Sequence, residues 1–116
     1  MFKLRDIFTS PNFPYRYQPD TDCVWQINVP KGYRIKVTFH LFRIRDVHNK
    51  EGCLDYVDLR DGDSPFSTFF GRFCGGNNPS TVTSTSTSFR IIFHSTTPYT
   101  EKSANGFAAS YEAIGK

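Results

Sequence analysis

Long apolar runs, blocks of like charge, helical periodicity and closely spaced cysteine pairs are all missing from this 116-residue chain. Uninterrupted apolar stretches are as short as Ile91-Ile92-Phe93, far below the ~18 residues a spanning helix needs, so no membrane insertion is expected. Fourteen Lys and Arg against 11 Asp and Glu leave a net charge of only +3, scattered without a run of one sign, which argues against a nucleic-acid partner. The three cysteines, Cys23, Cys53 and Cys74, include no Cys-x-x-Cys pair, which speaks against a tetrahedral zinc site and a thioredoxin-type centre. On spacing alone, one disulfide with an orphan and three free thiols both stay open. No Gly-x-Ser-x-Gly turn, His-Glu-x-x-His helix or set of Walker glycines occurs, so the chain is not expected to be an enzyme. Met1 to Asp6 also lack the apolar stretch of an export signal.

What the chain has is aromatic weight: 12 Phe, 6 Tyr and 1 Trp, against a charged fraction of 22%, which points to a packed core rather than disorder. From Arg34 to Leu41 the residues alternate, with Ile35, Val37, Phe39 and Leu41 on one side and Arg34, Lys36, Thr38 and His40 on the other. Period two is the mark of a half-buried strand. Cys23, Trp25, Ile27 and Val29 form a similar face, and the Pro30-Lys31-Gly32 turn predicts that these two strands are antiparallel neighbours. Phe89 to His94 and Phe107 to Tyr111 read as further strands; weaker candidates are Asp6 to Thr9, Asp55 to Leu59, Ser67 to Gly71 and Val82 to Thr85. No segment has the spacing of an amphipathic helix, and seven prolines with eight glycines punctuate the chain. The expectation is a single all-β domain over residues 1–116. A sandwich is preferred to a small barrel, because Trp25, Phe39, Phe89 and Phe93 suit a core between two sheets ~10 Å apart.

The stretch from Ser80 to Ser88 is low in complexity, and its β-branched threonines fit an exposed edge strand. His40 and His94 fall on the outward phase of their strands. Phe73-Cys74-Gly75-Gly76-Asn77-Asn78 is glycine-rich but opens no helix that could cradle a phosphate, so it reads as a turn.

Taken in order, Ser10-Pro11-Asn12-Phe13-Pro14, Tyr17, Cys23-Val24-Trp25, Pro30 to Ile35, Cys53 to Val57, Gly71-Arg72-Phe73-Cys74-Gly75 and Gly106-Phe107 to Tyr111 resemble a CUB domain over nearly the whole chain. The resemblance implies a jelly-roll-like sandwich of two antiparallel sheets, an extracellular (secreted or cell-surface) location and a role in binding. It also implies a Cys53–Cys74 disulfide, whose loop of about 20 residues should contribute ~3 kcal/mol. Cys23 matches a family cysteine whose partner lies upstream of this chain, so the chain is expected to be a domain excised from a larger protein.

Many such domains hold calcium with three carboxylates. Carried onto this sequence, the resemblance places Arg45 and Thr96 at two of those positions and leaves Asp55 as the only match, so no metal or other cofactor is expected. A guanidinium brings a fixed positive charge where the ion would sit. Arg45 could pair with Asp55, or both could stay solvated; Asp46 or Glu51 could also supply the lost carboxylate. The favoured function is a calcium-independent protein-interaction module using the loops Phe42 to Asp55 and Ser95 to Ser103, with Arg43, Arg45, Asp55, Tyr56 and Thr96 at the site and an acidic or mixed partner surface. The alternative is a sulfated-polysaccharide or glycan-binding module using Arg34, Lys36, Arg43, Arg45, Arg60 and Arg90.

Overall fold

The structure, a computed structural model, describes residues 4–45, 48–49, 52–96 and 104–115. Ten strands and no helix occur among them: β1 (Arg5–Thr9), β2 (Asp22–Asn28), β3 (Arg34–Arg43), β4 (His48–Asn49), β5 (Gly52–Cys53), β6 (Tyr56–Asp61), β7 (Thr68–Phe73), β8 (Val82–Thr83), β9 (Ser88–His94) and β10 (Gly106–Ile114). Two four-stranded antiparallel sheets stack face to face, one in the order β1-β10-β3-β8 and the other β2-β9-β6-β7. A small β4–β5 hairpin lies beside them.

Alternation explains the core. Ile35, Val37 and Phe39 from β3 face Val57 and Leu59 from β6 and Phe89, Ile91 and Phe93 from β9, all buried. Phe107 on β10 is the hub, with ring centroids 5.4 Å from Trp25, 5.8 Å from Phe39, 6.0 Å from Phe8 and 6.1 Å from Phe93. Burying each such phenylalanine is worth ~1.5–3 kcal/mol. The sandwich therefore holds by cross-sheet aromatic contact, as the sequence leads one to expect.

Two expectations need correction. The strands joined by Pro30-Lys31-Gly32 are not neighbours: β2 pairs with β9, and β3 pairs with β10 and β8. After β2 the chain keeps running along the second sheet, where the Val29 N–H donates to the Thr87 carbonyl at 2.9 Å, and only then crosses. A turn motif encodes chain reversal but not which strand supplies the ladder. The two apolar faces do better opposite one another across the core than side by side.

Leu41 also departs from the alternation. The β3–β10 register shifts between Ala108 and Ala109, which pair with Leu41 and Phe39 and leave His40 as the extra residue. That bulge flips the phase, so Phe42 is buried and Leu41 only half-buried. In the low-complexity stretch, β8 is an edge strand as expected, but Ser84 is buried, its hydroxyl accepting from Ile35 N–H and donating to the Ser86 carbonyl.

Candidate functional site

Four segments distant in sequence converge at one end of the sandwich. Arg45 follows β3, Asp55 precedes β6, Thr96 follows β9, and Tyr17 lies on the approach to β2. Backbone ties bring them there. Ile44 and Gly75 exchange two hydrogen bonds of 2.9 Å, which pins the chain just before Arg45. Cys53 and Cys74 form a disulfide with their Cα atoms 6.3 Å apart, fixing the segment that leads to Asp55. Asp20 N–H donates to the Thr96 carbonyl at 3.0 Å, and the Tyr17 ring packs edge-on against Phe93 at 5.0 Å.

Asp55 is the centre. Its side chain is 0% exposed, and that of Arg45 is 9% exposed. Arg45 grips it with both arms of the guanidinium, Nε to Oδ2 at 2.6 Å and Nη2 to Oδ1 at 3.1 Å. The Tyr17 hydroxyl donates to Oδ2 at 2.5 Å and accepts from the Arg45 backbone N–H at 3.1 Å. Thr96 donates to Oδ1 through its backbone N–H at 2.9 Å and its hydroxyl at 2.8 Å, and that hydroxyl accepts from Arg45 Nη2 at 3.1 Å. Five donated hydrogen bonds thus compensate one buried carboxylate, the condition under which a desolvated ion pair is tolerated.

The titration behaviour follows. Burial pushes the Asp55 carboxyl up, but the bonds from Arg45, Tyr17 and Thr96 outweigh it and hold the group below the usual carboxylate range. Burial, aided by the hydrogen bond to Asp55, pushes the Tyr17 hydroxyl well above its ordinary value. The bond to Asp55 raises the Arg45 guanidinium further still. The cluster is therefore an ionised pair at neutral pH with a neutral phenol.

Of the five residues assigned to the site from sequence, the structure brings Arg45, Asp55 and Thr96 into contact. Arg43 and Tyr56 lie outside that cluster. Arg43 is exposed on the last position of β3, opposite Gly106. Tyr56 turns to the outer face of the second sheet, its ring 5.0 Å from His94, with the Arg72 guanidinium 3.7 Å above it. Tyr17 entered the sequence reading only as one of the residues that carry the resemblance and was not assigned to the site, because nothing local links it to residues 28 and 38 positions away. Asp46, Glu51 and the loop segment 97–103 lie outside the described residues. Among the described residues no group of three or more His, Cys, Asp or Glu could hold a metal ion. The described donor set at this corner does not fit a hard cation, since both Asp55 oxygens already bind a guanidinium that stands where the resemblance calls for another carboxylate. The six cations of the glycan alternative are divided: Arg34 and Lys36 sit on β3 of the first sheet, Arg60 and Arg90 on β6 and β9 of the second.

The geometry has close counterparts. The CUB1-EGF-CUB2 region of human MASP-1/3 superposes with a TM-score of 0.83 at 28% identity, covering 98% of this chain and 43% of that one. The MASP-1 CUB2 domain in its Ca2+-bound crystal structure gives a TM-score of 0.81 at 26% identity, over 97% of this chain and 95% of that one. Among curated proteins, human Tolloid-like protein 2 is 36% identical over 110 residues, which are 94% of this chain and 10% of that protein. Dog cubilin is 38% identical over 89 residues, 77% of this chain and 2% of that protein. The chain therefore spans a tenth or less of these two curated relatives. The family model for the CUB domain matches residues 1–111. With the sandwich, the disulfide and the order of motifs in agreement, the chain belongs to the CUB family, whose domains serve as interaction modules in extracellular and cell-surface proteins.

Proposed function

We propose that this domain is a non-catalytic module of an extracellular protein that binds another protein without calcium, at the corner built around Asp55. The observation that supports this reading is the two-armed Arg45–Asp55 contact at 2.6 and 3.1 Å, which joins the loops after β3 and before β6 by an internal cation. With those loops already held, an added ion meets, among the described residues of the corner, neither a free carboxylate nor a favourable field. The five site residues then divide by role. Arg45, Asp55 and Thr96 position the loops, while exposed Arg43 and the half-exposed Tyr56 edge are what a partner meets. The Arg45–Asp55 pair is neutral as a unit, so exposed Arg43 is the charge that favours an acidic or mixed partner surface, and a lone lysine has no bare carboxylate among the cluster residues to dock on. The division of basic residues between the two sheets favours this reading over sulfated glycan binding.

The test is thermal melting and calorimetric titration of the chain with millimolar Ca2+, beside Arg45→Glu. The wild type is expected to show no site-specific heat and no rise in Tm, and the variant, with a second carboxylate next to Asp55, to gain a calcium-dependent rise. Stabilisation of the wild type by Ca2+ that Asp55→Ala abolishes would overturn the proposal. For partner binding, screening secreted proteins with and without chelator is expected to return complexes that survive chelation and associate more slowly with Arg43→Glu. Complexes that all require calcium would count against it.

A further inference from the structure

The outer face of the β2-β9-β6-β7 sheet is arranged in rows across the strands, and two of them treat charge in opposite ways. In one row Val24, Ile92, Asp58 and Arg72 lie side by side, and its only two charges form an ion pair. In the next row the order is Gln26, Arg90, Arg60 and Phe69. Two arginines are thus directly opposed on adjacent strands, a pairing that destabilises a sheet. Among the described residues neither has a carboxylate within ion-pair distance. Their hydrogen bonds go to neutral oxygens: Arg60 to the Ser67 carbonyl at 2.8 Å, and Arg90 to Gln26 Oε1 at 3.0 Å and the Asp63 carbonyl at 3.5 Å.

Those bonds hold out a hydrophobic knob. Phe66, at the tip of the β6–β7 loop, is 93% exposed. Its loop is nevertheless well tied. Ser64 N–H donates to Ser67 Oγ at 3.0 Å, Phe66 N–H to Ser64 Oγ at 2.9 Å, and Ser67 N–H to the Ser64 carbonyl at 3.1 Å. Gln26 reaches the Gly62 carbonyl at 3.4 Å, and Gly62 has positive φ at a point where an added Cβ would collide with Ser67. Pro65 stiffens the tip further. Below it, half-exposed Phe69 lies under the Arg60 guanidinium at 4.8 Å. A rigid apolar tip beside unneutralised cations is the arrangement of a binding hot spot, with the ordering cost met before the partner arrives.

We propose that the β6–β7 loop and the sheet face beneath it form a second docking surface, distinct from the Asp55 corner, for an acidic protein segment. One apolar side chain of that segment packs on Phe66 and Phe69, and flanking carboxylates pair with Arg60 and Arg90. A sulfated polymer is disfavoured because, among the described residues of this face, only two cations lack a carboxylate partner, Arg72 being held by Asp58, and Phe66 has nothing to offer a sulfate. An anionic lipid surface is disfavoured because seating Phe66 in it would press exposed Asp63 against the headgroups, whereas a peptide can place its carboxylates over Arg60 and Arg90 alone.

Two-dimensional NMR titration of the full chain tests this, using an acetylated peptide that alternates glutamate with leucine and phenylalanine. Heparin oligosaccharide and phosphatidylserine vesicles serve as rival probes. The peptide is expected to shift the amides of Arg60, Phe66, Phe69 and Arg90, and Phe66→Ala and Arg90→Glu each to weaken binding about tenfold. Arg90→Glu has a second expected result: melting at or above the wild-type temperature, because it replaces a like-charge pair with a cross-strand ion pair. Loss of binding with gain of stability is the signature of a surface kept for a partner. Peptide shifts confined to other residues, or wild-type affinity in both variants, would overturn the proposal. So would tighter binding of heparin or of the vesicles at the same amides.

Discussion

Two arginine–aspartate pairs in this domain have nearly the same geometry and very different settings. Arg72 holds Asp58 at 2.7 and 2.8 Å, as tight a two-armed contact as that between Arg45 and Asp55 at 2.6 and 3.1 Å. The first pair joins residues already opposed in the β6–β7 ladder, and although its aspartate is largely buried at 8% exposed, its arginine side chain is 40% exposed and open to water. The second lies out of water and ties three loop segments, of which the β6–β9 ladder brings only those of Asp55 and Thr96 side by side. Distance does not set the structural weight of an ion pair; desolvation and what the pair connects do.

The sharpest way to break this comparison is Asp55→Ala. It takes the Asp55 carboxylate away from a buried guanidinium, a phenol and the Thr96 N–H, and is expected to cost ~3–5 kcal/mol, a fall in Tm of roughly 12–20 °C. A loss below about 1 kcal/mol would give the corner no more structural weight than a surface ion pair. Acid titration gives the next effect. Asp55 binds its proton less readily folded than unfolded, so its contribution is complete above the unfolded carboxylate value near ~3.9 and fades as pH falls through the lower folded value. The stability gap between wild type and Asp55→Asn is therefore expected to be flat from neutral pH to about 5 and to close below about 4 in denaturant melts. Tyr17→Phe removes one donor to Asp55 and the acceptor of Arg45 N–H; a loss of ~1–2 kcal/mol is expected in the same melts. Arg72→Ala opens the largely buried Asp58 carboxylate and the Tyr56 face to water, so it should cost only about 1 kcal/mol, and less at high salt.

Those two pairs also mark what the sequence could reveal. Strands with clean alternation, such as Phe89 to His94, were legible because side-chain phase alone decides which residues face the core. The partnering of β2 with β9 rather than β3 was not, because hydrogen-bond neighbours are chosen by the whole sheet and the turn at Pro30 is silent on them. The bulge at His40 escaped for a related reason: neither it nor its partners differ in type from ordinary strand residues. At the corner, the resemblance named the three positions Arg45, Asp55 and Thr96, and left open whether Arg45 paired with Asp55 or both stayed in water. Only packing decides that, and it did so with help from Tyr17, whose hydroxyl reaches the pair by folding rather than by spacing.

The pairing of β1 with β10 has a mechanical consequence. Arg5 lies opposite Glu112, and the Ala113 N–H bonds to the Leu4 carbonyl, so the outer ends of these strands leave the first sheet side by side. The Arg45 corner is at the other end of β10, beyond Gly106 opposite Arg43, roughly 20 Å away along the strand. Tension applied between Leu4 and Ala113 therefore loads the β1–β10 ladder perpendicular to the strands, parting its rungs one after another rather than shearing them together. A tether pulled from that end peels β1 first, while the disulfide and the ion pair at the far end carry no load until the sheet itself opens.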